Sequence, residues 1–545
     1  MIRREGGPLP QTISPKTLPN ALSFFPKYYN ARGTLLSGVT LDAMVLVAFI
    51  LYFAIVLLIG FYFYGRSNNL GDYILGGRSM NPYVTALSAQ ASDMSSWLLM
   101  GLPGAVMLLG LGEAWIGIGL AIGSYLSWLF VAKKLRKHSV VAGNALTVPE
   151  FFSNRYKDNK GYLRLICSIA ILFFFVIYVA SGFKGCGTIL TTIFPELSVT
   201  IAMAIGALIV IVYTFMGGYK AVCWTDFVQG ILMLFAVVLV PMAAMNQLGG
   251  WGEVTAALDN VGFDNFLNLF YDGGKPLSFI AILSLLAWAF GYFGMPHIVV
   301  RYMSIRNPEE VKVARRVSLA WIVIALTAAI MVGIIGRAYY MNAFPDDPGV
   351  ENFNAEHIFI YMAGDLFIPI VAGLLYAAVM AAIMSTADSQ LLVASSAITN
   401  DLLGKSNRFK LSAQQLMWVS RGIVVAVAVF ALILAVFGGS NIMGLVSYAW
   451  AGFGASFGPL MILSLYWKRM NLPGALAAVI SGFATVILWN TFLTSSTGIY
   501  ELLPGFIISF IVGVIVALAT KPPCEEIENE FDQAQTYTEA AAEAE

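Results

Sequence analysis

Apolar residues in this chain do not alternate with polar ones at strand spacing. They run in blocks of about 20, the length that crosses the hydrocarbon core of a bilayer. Thirteen blocks are legible, near 43–64, 82–109, 114–132, 162–186, 197–216, 225–246, 276–298, 317–340, 366–398, 417–438, 442–466, 472–494 and 501–520. Backbone groups in lipid must bond within their own segment, so each block predicts a helix; they are numbered helices 1–13. Over 545 residues, 59% are hydrophobic and 11% charged, against about 25% charged in a soluble protein. The chain therefore reads as an all-α, multi-pass membrane protein spanning residues 43–520.

Charge placement gives the expected orientation. Lys133, Lys134, Arg136, Lys137, Arg155, Lys157, Lys160 and Arg164 crowd one inter-helix loop, and Arg301, Arg306, Lys312, Arg315 and Arg316 another. Loops on the opposite side hold only Lys184, Lys275 and Arg337. Basic residues resist translocation, so the N-terminus is expected outside and the C-terminus in the cytoplasm. Residues 1–42 form a polar extension, rich in proline and glycine, without the apolar core of a cleavable signal peptide. Residues 521–545 are acidic and read as a solvated cytoplasmic tail. Four dispersed cysteines and three scattered histidines suggest neither a disulfide frame nor a zinc site. No nucleophile–base pattern points to an enzyme, and nothing points to nucleic acid or to an obligatory protein partner.

Three spans carry chemistry that a lipid-filling helix does not need. Helix 2 reads AQASDMSSWLLMGLPG from Ala89 to Gly104, with Asp93 among serines and the breaker pair Pro103-Gly104. A carboxylate at membrane depth costs roughly 3 kcal/mol or more, and marks a binding site unless it caps a kink. Helix 7 reads WAFGYFGMPH from Trp288 to His297, again glycine-rich and ending its break with proline. These two spans open two five-helix blocks, helices 2–6 and 7–11, and an odd block length inverts the second. Interrupted segments at corresponding positions of inverted halves point to a transporter's binding site. Helix 9 carries AAIMSTADSQLLVASS, which places Ala382, Ser385 and Ser389 on one face. Such hydroxyls either bond their own backbone or supply oxygens to a cation.

Together these strings resemble the sodium:solute symporter family, most closely its sodium/proline branch. The matching segments are GDYILGGRSM (71–80), ASDMSSWLLMGLPGAV (91–106), LTVPEFF (146–152), WTDFVQ (224–229), GYFGMPHIVVRYMS (291–304), AAIMSTADSQLLVASSAIT (381–399) and LVSYAWAGFGASFGP (445–459). The resemblance implies a leucine-transporter-like fold with one helix before the inverted repeats and two after. It implies a sodium site made by the carbonyls of Ala91, Met94 and Ala382 and the hydroxyls of Ser385 and Thr386, with Asp93 beside it. It implies a substrate pocket of Ser95, Trp97, Tyr178, Trp288, Tyr292 and Pro296. A candidate second cation site is implied at Asp226, Asp388 and Ser389. There two carboxylates would bind another cation, share a proton, or pair with a loop arginine. The expected activity is sodium-coupled uptake of L-proline by alternating access in the plasma membrane, with sodium as coupling ion and no cofactor. Betaine, pantothenate, a monocarboxylate or another amino acid remain alternative substrates, and a transporter-like sensor an alternative role.

Overall fold

The computed structural model describes residues 43–64, 70–216, 218–404 and 412–538, so the 1–42 extension lies outside it. Among the described residues, ten helices are long and apolar enough to cross a membrane. One bent pair makes an eleventh, and two shorter apolar helices stand where the remaining two blocks predict spans. They are Phe279–Phe293 with Pro296–Ser304, bent by 43°; Trp97–Leu109 with the Pro82–Asp93 helix that leads into it; and Val199–Phe215. Burial separates core from periphery. Helix 9 (Pro369–Ser396) and helix 11 (Ile442–Tyr466) lie in spans 83% buried, whereas helix 1 (Ala43–Tyr64) and helix 12 (Leu472–Phe492) lie in spans 33% buried. Helix 1 packs on helices 6 and 9, and helices 12 and 13 pack on each other and on helix 11. Lipid gives apolar helices no reason to associate, so close contact depends on small residues and interhelical hydrogen bonds. The alanines and hydroxyls of helix 9 serve that purpose.

The break in helix 7 falls where its glycines predict. A 3-10 turn (Ala287–Phe293) ends at Gly294-Met295, and Pro296 restarts the helix. Two glycines let this break lie against helix 11. A Cβ on Gly291 would fall 2.0 Å from the Trp450 indole nitrogen, and one on Gly294 would fall 2.4 Å from the Phe453 carbonyl. Helix 2 departs from expectation. Its helical hydrogen bonding stops at Met94-Ser95, not at Pro103-Gly104. The chain resumes as a π-helical turn (Trp97–Gly101) that runs on into Leu102–Leu109, and Pro103 lies inside this continuous helix, just after the wide turn.

Two basic segments expected as loops are ordered helix. Helix 3 (Ala114–Leu126) continues through a π turn into Lys133–Val141, and Arg301 lies within Pro296–Ser304 with 1% exposure. At this end of the bundle the strand-like segment before helix 2 meets the chain leaving helix 7. Met80 N–H donates to the Ser304 carbonyl at 3.1 Å, and Arg306 N–H donates to the Met80 carbonyl at 3.1 Å. Arg78 donates to the Met303 carbonyl at 2.7 Å and Arg136 to the Ile305 carbonyl at 2.7 Å.

The acidic tail is also not simply solvated. Residues Glu525–Thr536 form a helix whose Ile527, Phe531 and Ala534 are buried. Glu526 and Glu530 pair with Lys157, and Glu528 and Asp532 with Lys468. The Phe531 ring lies 5.1 Å from the Arg155 guanidinium and 5.3 Å from the His138 ring. Exposed ion pairs contribute only about 0–1 kcal/mol each, so the buried aromatic holds the helix. Phe531→Asp is expected to release it, which limited digestion by a glutamate-specific protease reads as several-fold faster cleavage within Glu525–Glu530. Unchanged cleavage would mean that docking does not depend on Phe531.

Candidate functional site

Three successive carbonyls at the break in helix 2 are each taken by a side chain from another helix or turn. Ser385 Oγ donates to the Ala91 carbonyl at 2.8 Å. His297 Nε2 donates to the Ser92 carbonyl at 3.1 Å. The Trp97 indole N–H and the Tyr178 hydroxyl donate to the Asp93 carbonyl at 3.1 and 3.3 Å. Ser95 N–H also turns back to the Asp93 carbonyl, at 3.1 Å, and Trp97 N–H reaches Ser95 Oγ at 3.5 Å. The helical ladder is thus replaced by tertiary donors, which explains a break that holds neither glycine nor proline.

On helix 9, Ser385 Oγ also approaches the Ala382 carbonyl at 3.2 Å, and Thr386 Oγ1 donates to the same carbonyl at 3.1 Å. Ala382, Ser385 and Thr386 thus form a buried cluster of hard oxygens on helix 9, joined to the Ala91 carbonyl of helix 2 by Ser385. Met94 lies at the helix end with ψ of 77°. Asp93 is fully buried and its Oδ2 accepts a hydrogen bond from the Tyr292 hydroxyl, while Oδ1 has no hydrogen-bond partner among the described residues. The carboxylate is thus tied to helix 7 as well as to the turn it stands on.

Of the six pocket residues implied by resemblance, Ser95, Trp97, Tyr178 and Tyr292 each bond Asp93 at this turn, and Trp288 lies beside Trp97. The Trp97 and Trp288 rings are 6.3 Å apart, and Tyr292 and Pro296 lie on the two halves of helix 7. Trp450, Tyr500 and His297 join them and were not singled out in the sequence. Trp450 stands edge-on to Tyr292 at 5.2 Å and its indole N–H donates to the Trp288 carbonyl at 2.8 Å. Tyr500 stacks on Trp288 at 5.5 Å. The SYAWAG string held the signal for Trp450. Tyr500 sits in the helix 12–13 connection, where nothing marks it. A cavity of about 650 Å³ opens at the end of the bundle away from the basic loops and reaches Trp288 and Tyr500.

A family model of the "Sodium:solute symporter family" matches residues 73–482. The chain belongs to the sodium:solute symporter family. It is 45% identical over 496 residues to the sodium/proline symporter of Escherichia coli, covering 91% of this chain and 97% of that protein. It is 46% identical over 480 residues to the high-affinity proline transporter PutP of Bacillus subtilis, covering 88% and 99%. Among solved structures it resembles a Na+-coupled sialic acid symporter in a substrate-bound outward-open state, with TM-score 0.73 at 22% identity, over 89% of this chain and all of that one. The fold is the leucine-transporter-like one, with helices 2–6 and 7–11 as its repeats, and the protein is a transporter, not an enzyme.

In this family member the candidate second cation position already holds a guanidinium. Arg301 Nη2 lies 3.1 Å from Asp226 Oδ2 and donates to Ser389 Oγ at 2.5 Å. Its Nε reaches Ser88 Oγ at 3.2 Å and its Nη1 the His297 carbonyl at 2.6 Å. Ser88 Oγ in turn donates to Asp226 Oδ2 at 2.7 Å. The Tyr219 ring lies 5.6 Å from the guanidinium carbon. Asp388 receives a hydrogen bond from Ser389 Oγ at 3.2 Å, and its other oxygen has no partner. The partner of Asp226 is thus an arginine of helix 7 rather than of a loop. Hydropathy could not reveal this, since Arg301 stands close to a genuinely basic loop.

Proposed function

We propose that this chain takes up L-proline together with sodium by alternating access across the plasma membrane. The observation that carries the reading is the oxygen cluster of Ala382, Ser385 and Thr386, joined to the Ala91 carbonyl and set one turn from an aromatic wall through Asp93 and Tyr292. Sodium prefers such hard oxygen ligands, and helix interruptions in transporters supply them. Trp288, Tyr292, Trp97 and Tyr178 offer rigid apolar faces to a pyrrolidine ring, with polar groups at their edges to fix its charged ends. The names of the relatives support proline rather than betaine, pantothenate or a monocarboxylate. The loop charges support an N-terminus outside and a C-terminus in the cytoplasm.

Labelled L-proline uptake into proteoliposomes tests the reading. Uptake is expected to follow an inward sodium gradient and to stop when potassium replaces sodium. Betaine, pantothenate or lactate displacing label better than proline would move the chain to another branch of the family. Arg301 also bears on stoichiometry. With its guanidinium fixed against Asp226, one transported charge per proline is expected. Measured current near two charges per proline would place a second ion at Asp388.

A further inference from the structure

Helices 3 and 8 meet along a seam whose two sides differ. From inside the bundle Gln90 of helix 2 closes it, donating to Ser124 Oγ of helix 3 at 3.2 Å and to Ser318 Oγ of helix 8 (Val311–Ala343) at 2.6 Å. On the outer side, one residue past Ser124 and one turn before Ser318, the Arg315 guanidinium lies over the Tyr125 ring at 5.6 Å. Among the described residues nothing answers that charge. Arg315 and its neighbours Lys312 and Arg316 make no hydrogen bond or ion pair there, and neither does the Tyr125 hydroxyl. The nearest acids along helix 8 and its approach are already engaged, Glu309 with Lys133 at 2.6 Å and Glu310 with Arg306 at 2.7 Å. Exposed Ile122, Tyr125 and Leu129 run along helix 3, and exposed Arg316, Ala320 and Val323 along helix 8, so both sides of the seam face lipid. The cations stand at the basic end, where the apolar block 317–340 begins. An arginine at the edge of the hydrocarbon is costly without a partner, and its stem reaches toward the headgroups to find one. A tyrosine at that depth turns its hydroxyl the same way.

We propose that this outer seam binds the phosphate of an anionic phospholipid in the leaflet at the basic end. The planar Arg315 guanidinium offers paired N–H donors to a phosphate and the Tyr125 hydroxyl offers another, with Lys312 and Arg316 beside them as further positive charge. Cations without an acid among them favour a headgroup of net negative charge. The ammonium of a zwitterionic lipid would meet Lys312 and Arg316 and gain nothing there. The acyl chains follow the exposed apolar stripes of the two helices. Such a lipid braces helix 3, whose opposite face backs the break in helix 7. A Cβ on Gly123 would fall 2.3 Å from the Ala289 carbonyl, and Ser127 Oγ donates to the Tyr292 carbonyl at 2.9 Å. The site does not depend on which solute the central pocket carries.

The test uses the full chain purified in a neutral detergent, where a ligand that joins two helices raises the temperature of unfolding. Wild type is titrated separately with phosphatidylglycerol, phosphatidylcholine and inorganic phosphate. Phosphatidylglycerol is expected to raise that temperature saturably, and the other two to need at least about fivefold higher concentrations for the same rise. Arg315→Gln with Arg316→Gln is expected to raise the half-saturating phosphatidylglycerol concentration at least about tenfold, the loss of one charge-assisted contact. Lys160→Gln with Lys521→Gln removes the same charge from exposed positions at the same end, and is expected to leave that concentration unchanged. Tyr125→Phe keeps the ring and loses only the hydroxyl, and is expected to raise it about threefold. Equal phosphatidylglycerol responses in the arginine and lysine variants would overturn the proposal. Should the arginine variant not assemble, a Tyr125→Phe protein with the wild-type response overturns it instead. A response to inorganic phosphate as strong as that to the lipid would also overturn it, and would make the seam a site for a free anion.

Discussion

Ser385→Ala and Thr386→Ala are expected to raise the sodium concentration for half-maximal proline uptake by roughly 10- to 100-fold, with a much smaller change in the proline constant at saturating sodium. The Ser385 hydroxyl bridges helix 9 to helix 2, and the Thr386 hydroxyl shares the Ala382 carbonyl with it. A polar contact to a charged group contributes about 1.5–3 kcal/mol, and about 1.4 kcal/mol is a factor of ten. Asp93→Asn should behave differently. Its carboxylate accepts from Tyr292, so the change disturbs both the neighbourhood of the ion and one wall of the pocket. Sodium and proline constants are expected to rise together. Sodium titrations of labelled uptake, run at several proline concentrations, separate the two patterns. A Ser385→Ala protein with unaltered sodium dependence would remove this residue from the ion site.

The second large effect concerns Arg301. Removing one member of a buried ion pair strands the other, at a cost of about 3–5 kcal/mol. Arg301→Met would leave Asp226 facing Ser88 alone, and would also cut the links to Ser389 and to the His297 carbonyl. Loss of folded transporter, or a sharp fall in the temperature at which detergent-solubilised protein aggregates, is expected. Arg301→Met with Asp226→Asn should regain much of that stability, because no unpaired charge remains. Fluorescence-detected size exclusion after heating measures both. A stable single variant would mean that Asp226 takes up a proton or another cation at little cost, and that Arg301 is not its obligatory partner.

Helix number and the families of residues at the break were legible because hydropathy records what faces lipid. What lies inside the bundle was less so. The glycines of helix 7 marked its break, since close approach to helix 11 leaves no room for a Cβ at Gly291 or Gly294. Helix 2 misled because Pro103 looks like a breaker but is carried within a continuous helix behind a π turn, while the true interruption depends on donors from Trp97, Tyr178, His297 and Ser385. Those donors are distant in sequence and no local pattern announces them. Arg301 and the Lys133–Lys137 run failed for a related reason. Window hydropathy treats every cation near a span end as loop, and cannot tell a buried guanidinium from a solvated one. The acidic tail was read by charge, and its Ile527 and Phe531 were too few to announce an apolar face.

The closure at the basic end, where Met80 meets Ser304 and Arg306 and where Arg78 and Arg136 grip the neighbouring carbonyls, sets a scale for the work of a transport cycle. Two backbone hydrogen bonds are worth about 0.5–1.5 kcal/mol each, and two charge-assisted ones about 1.5–3 each. One sodium ion moving down a potential of about 100 mV releases roughly 2.3 kcal/mol, and a tenfold concentration gradient about 1.4 more. The two quantities are of one order. A latch much weaker than the ion's descent would open without cargo and let the gradient run to waste. A much stronger one would hold cargo that the gradient could not discharge. The four bonds together come to about 4–9 kcal/mol against about 4 kcal/mol from one ion, so this end opens only as compensating contacts form elsewhere in the bundle.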